Sequence, residues 1–117
     1  MERKSDEKLI ALLHKLRAAG VPIAAICAAT LEIAGAKLTG SLRQTSNSPD
    51  YLKTTVAYYG DEDFYVDELA VTDNDLIKAS GLGSVEFARE IIKGLGIYNE
   101  ADTKVWFEMF KHGIFPK

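Results

Sequence analysis

The segment that most constrains the fold of this chain is residues 21–27, Val-Pro-Ile-Ala-Ala-Ile-Cys, which is apolar throughout instead of alternating. An unbroken apolar run of this length is the pattern of a strand covered on both faces, and such strands belong to parallel sheets flanked by helices. The run therefore predicts a central parallel strand. Ahead of it, Leu9, Leu12, Leu13 and Leu16 recur at helical spacing and Ile10 widens the stripe, so residues 6–19 read as an amphipathic helix. Ser5 is placed to cap that helix, Asp6 and Glu7 suit its positive end, Lys15 and Arg17 its negative end, and Gly20 and Pro22 stop it.

After the strand, residues 29–37 are helical in period, with Gly35 and Gly40 placed to help end the helix. Residues 42–46 form a short candidate strand, and Ser48-Pro49-Asp50 sets a cap, a proline at the first helical position and an early acid for a helix over 49–57. A polar loop at 60–63 leads to a hairpin in which residues 64–72 and 76–80 flank Asp73-Asn74-Asp75. Gly81-Leu82-Gly83 reads as a tight strand-to-helix turn. Ser84 would then cap a helix whose Ala88, Ile91, Ile92 and Leu95 share a face, with Gly94 and Gly96 breaking it. A last helix is expected over 101–111, carrying Val105, Trp106, Met109 and Phe110. The order predicts an α/β sandwich with helices on both faces of a mixed sheet, a class in which ligands bind at the carboxyl ends of the central parallel strands.

Composition excludes several function classes. With 117 residues, 47% of them hydrophobic, the chain suits one domain over 1–117 that buries roughly two-thirds of its unfolded surface. Its 14 basic and 17 acidic residues leave a formal charge of −3, so there is no basic face for phosphates, and nucleic acid is not an expected partner. The longest apolar stretch, 21–31, contains Pro22 and Thr30 and falls short of the roughly 20 residues of a membrane span. No membrane association is expected. The charged start, Met1 to Lys8, is not a signal peptide, which makes the cytoplasm the expected compartment. A single cysteine permits neither an internal disulfide nor a cysteine-based zinc site, and no metal or cofactor is expected.

That cysteine, Cys27, stands where the apolar strand gives way to a helix, the position of a nucleophile elbow. Elbows favour glycine two residues before and after the nucleophile; here those places hold the small Ala25 and Ala29. A thiol so placed faces the first amides of the next helix, and the Ala28 N–H is positioned to stabilise an oxyanion. Pattern alone leaves an inert core thiol open, because free cysteine is among the most buried residue types. His14 and His112 read as surface or packing residues, and Asp67 and Glu68 as solvated residues on opposite faces of a strand. Gly81-Leu82-Gly83 lacks the further glycine and lysine of a phosphate loop. Tyr58, Tyr59, Phe64 and Tyr65 read as lid or interface packing.

Three blocks carry a resemblance. Ala24-Ala25-Ile26-Cys27-Ala28-Ala29-Thr30-Leu31, then Thr45-Ser46-Asn47-Ser48-Pro49 with Tyr51-Leu52, then residues 75–84 with Glu86-Phe87-Ala88, resemble in order and spacing the cysteine-elbow motif, the next strand and helix start, and the final strand, glycine turn and helix of the DJ-1/PfpI family. The resemblance, to a family within the class I glutamine amidotransferase-like superfamily, implies a flavodoxin-like three-layer sandwich and frequent homodimers or higher oligomers. It also implies a nucleophilic Cys27, an oxyanion contact from Ala28, and substrate contacts from Thr30, Asn47 and Gly81. The activity implied is that of a glyoxalase or deglycase, or of an amidase or peptidase-like hydrolase, on a small carbonyl or amide substrate. A non-enzymatic stress or redox-sensing role for the same cysteine, and an inactive fragment, are the alternatives.

The chain departs from the family pattern in three places. Ala28 stands where many PfpI-type proteases carry histidine, and Asn47 where other members place a histidine on the following strand. Asparagine can hydrogen-bond a thiolate or orient a substrate but cannot serve as a general base near neutral pH. Family members also begin with two or more βα units ahead of the helix that leads to the elbow, one of them contributing a glutamate to the cysteine. The chain therefore reads as a C-terminal portion of such a fold, with a bare sheet edge or helix-facing surface that predicts self-association or a missing N-terminal partner segment.

Overall fold

The structure, a computed structural model, describes residues 7–38, 43, 45–48 and 65–116. Helix α1 (Glu7–Ala18) leads into β1 (Ile23–Ile26), a one-turn 3-10 segment (Cys27–Ala29) and the short α2 (Thr30–Gly35). Strands β2 (Ala70–Asp73) and β3 (Leu76–Ala79) form a hairpin, followed by α3 (Ser84–Leu95) and α4 (Glu100–His112). The expected helix over 49–57 and loop over 60–63 lie outside the described residues, as do Ser5, Gly40, Tyr58, Tyr59 and Phe64. Of the expected strand over 42–46, Arg43, Thr45 and Ser46 are described and are not in a strand.

Among the described residues the sheet runs β1-β3-β2, with β1 parallel to β3 and β2 antiparallel to it. The predicted parallel strand is present; among the described residues β3 has a strand on each side and β1 has one, and β1 alternates in burial, with Ala24 exposed between buried Ile23 and Ala25. An apolar run does not by itself identify a central strand when its residues are as small as alanine: Ala24 loses little by facing solvent. The hairpin turns on Asn74 and Asp75, whose φ values of 48° and 61° are the left-handed pair that a two-residue type I′ loop needs.

Side-chain alternation along the sheet sorts the two layers. Leu76, Ile23 and Ala25 face α1 and α2, forming a core with Leu13, Ile33 and Ala36 to which Leu9, Ile10, Leu16 and Leu38 add their partly buried side chains. Burying each large aliphatic member is worth about 1.5–3 kcal/mol. The opposite face, carrying Ile77 and Thr72, meets α3, where Thr72 Oγ1 donates to Glu90 Oε1 at 2.9 Å. Helices thus cover both faces of a mixed sheet.

Helix ends differ in detail from their sequence signals. The residue after α2 that turns left-handed is Lys37 (φ 58°), not a glycine. Ser84 is the first residue of α3 and Gly83 its N-cap, with no side-chain cap; Gly94 lies inside the helix, and Gly96 (φ 63°) ends it. Gly83 is required by packing, because a Cβ there would stand 2.4 Å from the Leu69 carbonyl oxygen. Helix α4 is capped by Asn99, whose Oδ1 accepts from the Asp102 amide at 2.7 Å. It is tied to α3 by the buried Glu86, which receives Lys111 Nζ at 2.9 Å on Oε2. No helix among the described residues is long and apolar enough to cross a membrane.

Candidate functional site

The carboxyl end of β1 delivers Cys27 into a left-handed backbone conformation, φ 57°, at the first residue of the 3-10 turn. A side chain pays about 1–2 kcal/mol to sit there. Two of the other non-glycine residues with positive φ, Asn74 and Asp75, form the hairpin turn, and Lys37 follows a helix end. Cys27 instead turns the chain sharply between strand and helix, leaving its thiol half-buried at the end of the sheet. This is the elbow geometry that the sequence predicts.

Two distant segments close around the sulfur. Asn47 Nδ2 donates toward Cys27 Sγ at 3.6 Å, and Asn47 Oδ1 accepts the Gly81 amide at 2.8 Å. Gly81 follows β3, the strand paired with β1, which brings the end of one next to the end of the other. A Cβ on Gly81 would stand 3.0 Å from Sγ and 3.3 Å from Asn47 Oδ1. The glycine is what allows this backbone to approach the thiol so closely. Cys27, Asn47 and Gly81 are therefore assembled in one place, and Ala28 is exposed beside them.

Thr30 is different. It is wholly buried, and its Oγ1 donates to the Cys27 carbonyl at 2.6 Å and lies 2.6 Å from Ser46 Oγ. The one hydroxyl hydrogen of Thr30 is used on a carbonyl that can only accept, so the Ser46 hydroxyl is the donor in the second bond. Thr30 thus braces the elbow from beneath and does not reach the surface where a substrate would lie. Ser46 is held in turn by Tyr65, whose OH donates to the Ser46 carbonyl at 2.9 Å and receives the Ser46 amide at 3.2 Å. Thr45 Oγ1 donates to the Glu68 carbonyl at 2.8 Å.

Ser46 and Tyr65 are the supporting residues that pattern reading did not single out. Ser46 carried a signal, being next to Asn47 in the second resembling block, whereas Tyr65 carried none beyond its place in an aromatic cluster. His14 and His112 are exposed, and His112 packs edge-on against Phe107 at 6.0 Å. Asp67 and Glu68 lie outside any strand and are both exposed, rather than on opposite faces of one. Among the described residues no three His, Cys, Asp or Glu side chains converge on a metal-sized site.

Comparison with known proteins fits this geometry. A family model described as the DJ-1/PfpI family matches residues 2–94. A protein of Bacillus subtilis (strain 168) named uncharacterized protease YoaZ is 38% identical over 92 residues, which cover 79% of this chain and 44% of that protein. The crystal structure of a thiJ/pfpI family protein from Bacillus anthracis superposes with a TM-score of 0.86 at 29% identity, covering 91% of this chain and 50% of that one. A DJ-1 superfamily protein from Agrobacterium tumefaciens gives a TM-score of 0.78, also at 29% identity, over 92% of this chain and 57% of its own. The chain spans about half the length of the relatives it matches. Its fold is the flavodoxin-like sandwich of these neighbours, and the chain belongs to the DJ-1/PfpI family.

Proposed function

We propose that Cys27 is a reactive nucleophile acting on a small carbonyl or amide substrate, in glyoxalase or deglycase chemistry or in amidase or peptidase-like hydrolysis. The observation that carries this reading is the left-handed φ of 57° at Cys27, on an elbow whose sulfur receives the Asn47 amide. Backbone strain at a non-glycine residue persists where the surroundings enforce it, and such residues cluster at reactive sites. Here the enforcement comes from Thr30, bonded to the Cys27 carbonyl.

In the reaction, the Cys27 thiolate forms a carbon–sulfur bond to the substrate carbonyl carbon and the carbonyl π pair moves to oxygen. The Ala28 N–H stabilises that oxyanion, and an acid outside the described residues or on a second subunit returns the proton. Asn47 and Gly81 border the place where the substrate carbonyl would stand. Homodimers or higher oligomers are part of the proposal, supported by the exposed Phe110, Ile114 and Phe115 at the C-terminal end. Turnover of glyoxal and of a small amide probe tests the reading: Cys27→Ser should abolish it, and undiminished turnover in that variant refutes it.

A second reading is favoured by the chemistry of Asn47, which supplies a donor but no base. A thiolate stabilised in this way reacts with peroxide to give sulfenate and water without needing a proton acceptor. Rapid oxidation confined to Cys27, followed by mass, with no turnover of either probe, would favour this redox role over the enzymatic one.

A further inference from the structure

We propose that Asn47 is an obligate hydrogen-bond donor to the Cys27 sulfur, locked in that orientation by the backbone amide of Gly81, and that the pair stabilises the sulfur as an anion. This rests on the reading of Cys27 as the reacting atom.

An asparagine carboxamide has two faces of opposite character, and which one points where follows from its neighbours. A backbone N–H can only donate. The Gly81 amide lies 2.8 Å from the Asn47 carboxamide, so the atom facing it is the oxygen. The NH2 group is thereby left on the other side, 3.6 Å from Sγ, a length that suits N–H···S because sulfur is large. Reversing the carboxamide would set two donors against each other at Gly81 and a carbonyl oxygen against the sulfur. It would forfeit one hydrogen bond and repel a thiolate.

The rest of the site holds this arrangement in place. Ser46, the residue before Asn47, is fixed through both its amide and its carbonyl by the Tyr65 hydroxyl, and through its own hydroxyl by buried Thr30. On the other side, Gly81 has no Cβ to push the carboxamide or the sulfur away. A donor bonded to an ionisable group favours its charged form, and one that cannot accept a proton acts through stabilisation alone. The ionisable residues at this end of the sheet include Tyr65, bonded to Ser46, Glu68, which meets Thr45 through its carbonyl, and the buried Lys78 of β3, which lies opposite Ala25.

The test is the rate at which iodoacetamide alkylates Cys27 from about pH 5 to about pH 10, in the whole chain and in Asn47→Ala and Asn47→Asp, with circular dichroism to verify the fold. Loss of the donor in Asn47→Ala should slow alkylation several-fold at neutral pH. In Asn47→Asp one carboxylate oxygen takes the Gly81 amide and the other confronts the sulfur, which should displace the profile upward by about one pH unit, about tenfold in rate at neutral pH. Both variants should converge on the wild-type rate in alkaline solution. An Asn47→Asp profile that coincides with wild type, or variants slowed by the same factor at every pH, would overturn the proposal. Alkylation involves no substrate, so displaced profiles in a chain that turns over neither glyoxal nor amide would defeat the enzymatic reading and sustain this one.

Discussion

The Cβ that Gly81 lacks would stand 3.0 Å from Cys27 Sγ, although the two residues are far apart in sequence. The parallel pairing of β1 with β3 creates that proximity, since Ile26 lies opposite Ala79 and the chain leaves both strands on the same side. Gly81→Ala should therefore disturb reactivity more than stability. Gly81 is exposed and the added methyl can be relieved by moving the sulfur or the carboxamide, at the expense of the contact between them. The expected result is several-fold slower alkylation of Cys27 at neutral pH with the thermal midpoint within a few degrees of wild type. Wild-type alkylation in Gly81→Ala would show that the close approach has no chemical consequence.

Thr30→Val keeps the shape of a wholly buried side chain and removes both of its hydrogen bonds. The Ser46 hydroxyl loses its partner and the Cys27 carbonyl keeps only the Thr30 backbone amide, a loss of about 1–3 kcal/mol. Thr30→Ser keeps the hydroxyl and sacrifices one methyl, about 0.8 kcal/mol. Urea unfolding should accordingly rank Thr30→Val below Thr30→Ser. The opposite order would mean that packing, and not the bonded hydroxyl, is what Thr30 contributes beneath the elbow.

The Glu86–Lys111 pair makes the attachment of α4 sensitive to pH. Burial pushes the Glu86 carboxyl up, but the hydrogen bond from Lys111, its own backbone amide and the charges of Lys111 and Arg89 outweigh this and hold it below the usual carboxylate value. A carboxyl depressed on folding adds stability above its unfolded value, and that stability is lost as pH falls through the folded one. Lys111→Met should cost about 1–3 kcal/mol at neutral pH, less than for a fully enclosed pair because Lys111 remains partly solvated. The deficit should shrink as pH drops below about 4. A deficit that stays constant across that range would place the effect in packing of the lysine stem.

Elements with a strong period were legible in the sequence. The Leu9, Leu12, Leu13, Leu16 stripe gave α1 to within a residue or so at each end, and Asn74-Asp75 marked the hairpin turn. The elbow was legible because one cysteine closes one apolar run. The order of strands was not, because the burial of an alanine-rich strand depends on its neighbours and not on its own composition. Nor were the contacts that assemble the site: Asn47 and Gly81 are 34 residues apart, and the pairing of β1 with β3 brings Gly81 to the sulfur while the bonds of Ser46 to Thr30 and Tyr65 bring Asn47. Thr30 illustrates the same limit. The family resemblance implies a substrate contact for it, whereas its burial makes it a brace for the backbone.

The most direct test of the central claim, that the fold makes Cys27 a reactive thiol, compares one sulfur in two states. Iodoacetamide alkylation at neutral pH should be faster in the native chain than in the same chain unfolded in urea, despite the partial burial of Cys27 in the fold. A native rate equal to or below the unfolded rate would contradict the claim and leave Cys27 as a packing residue.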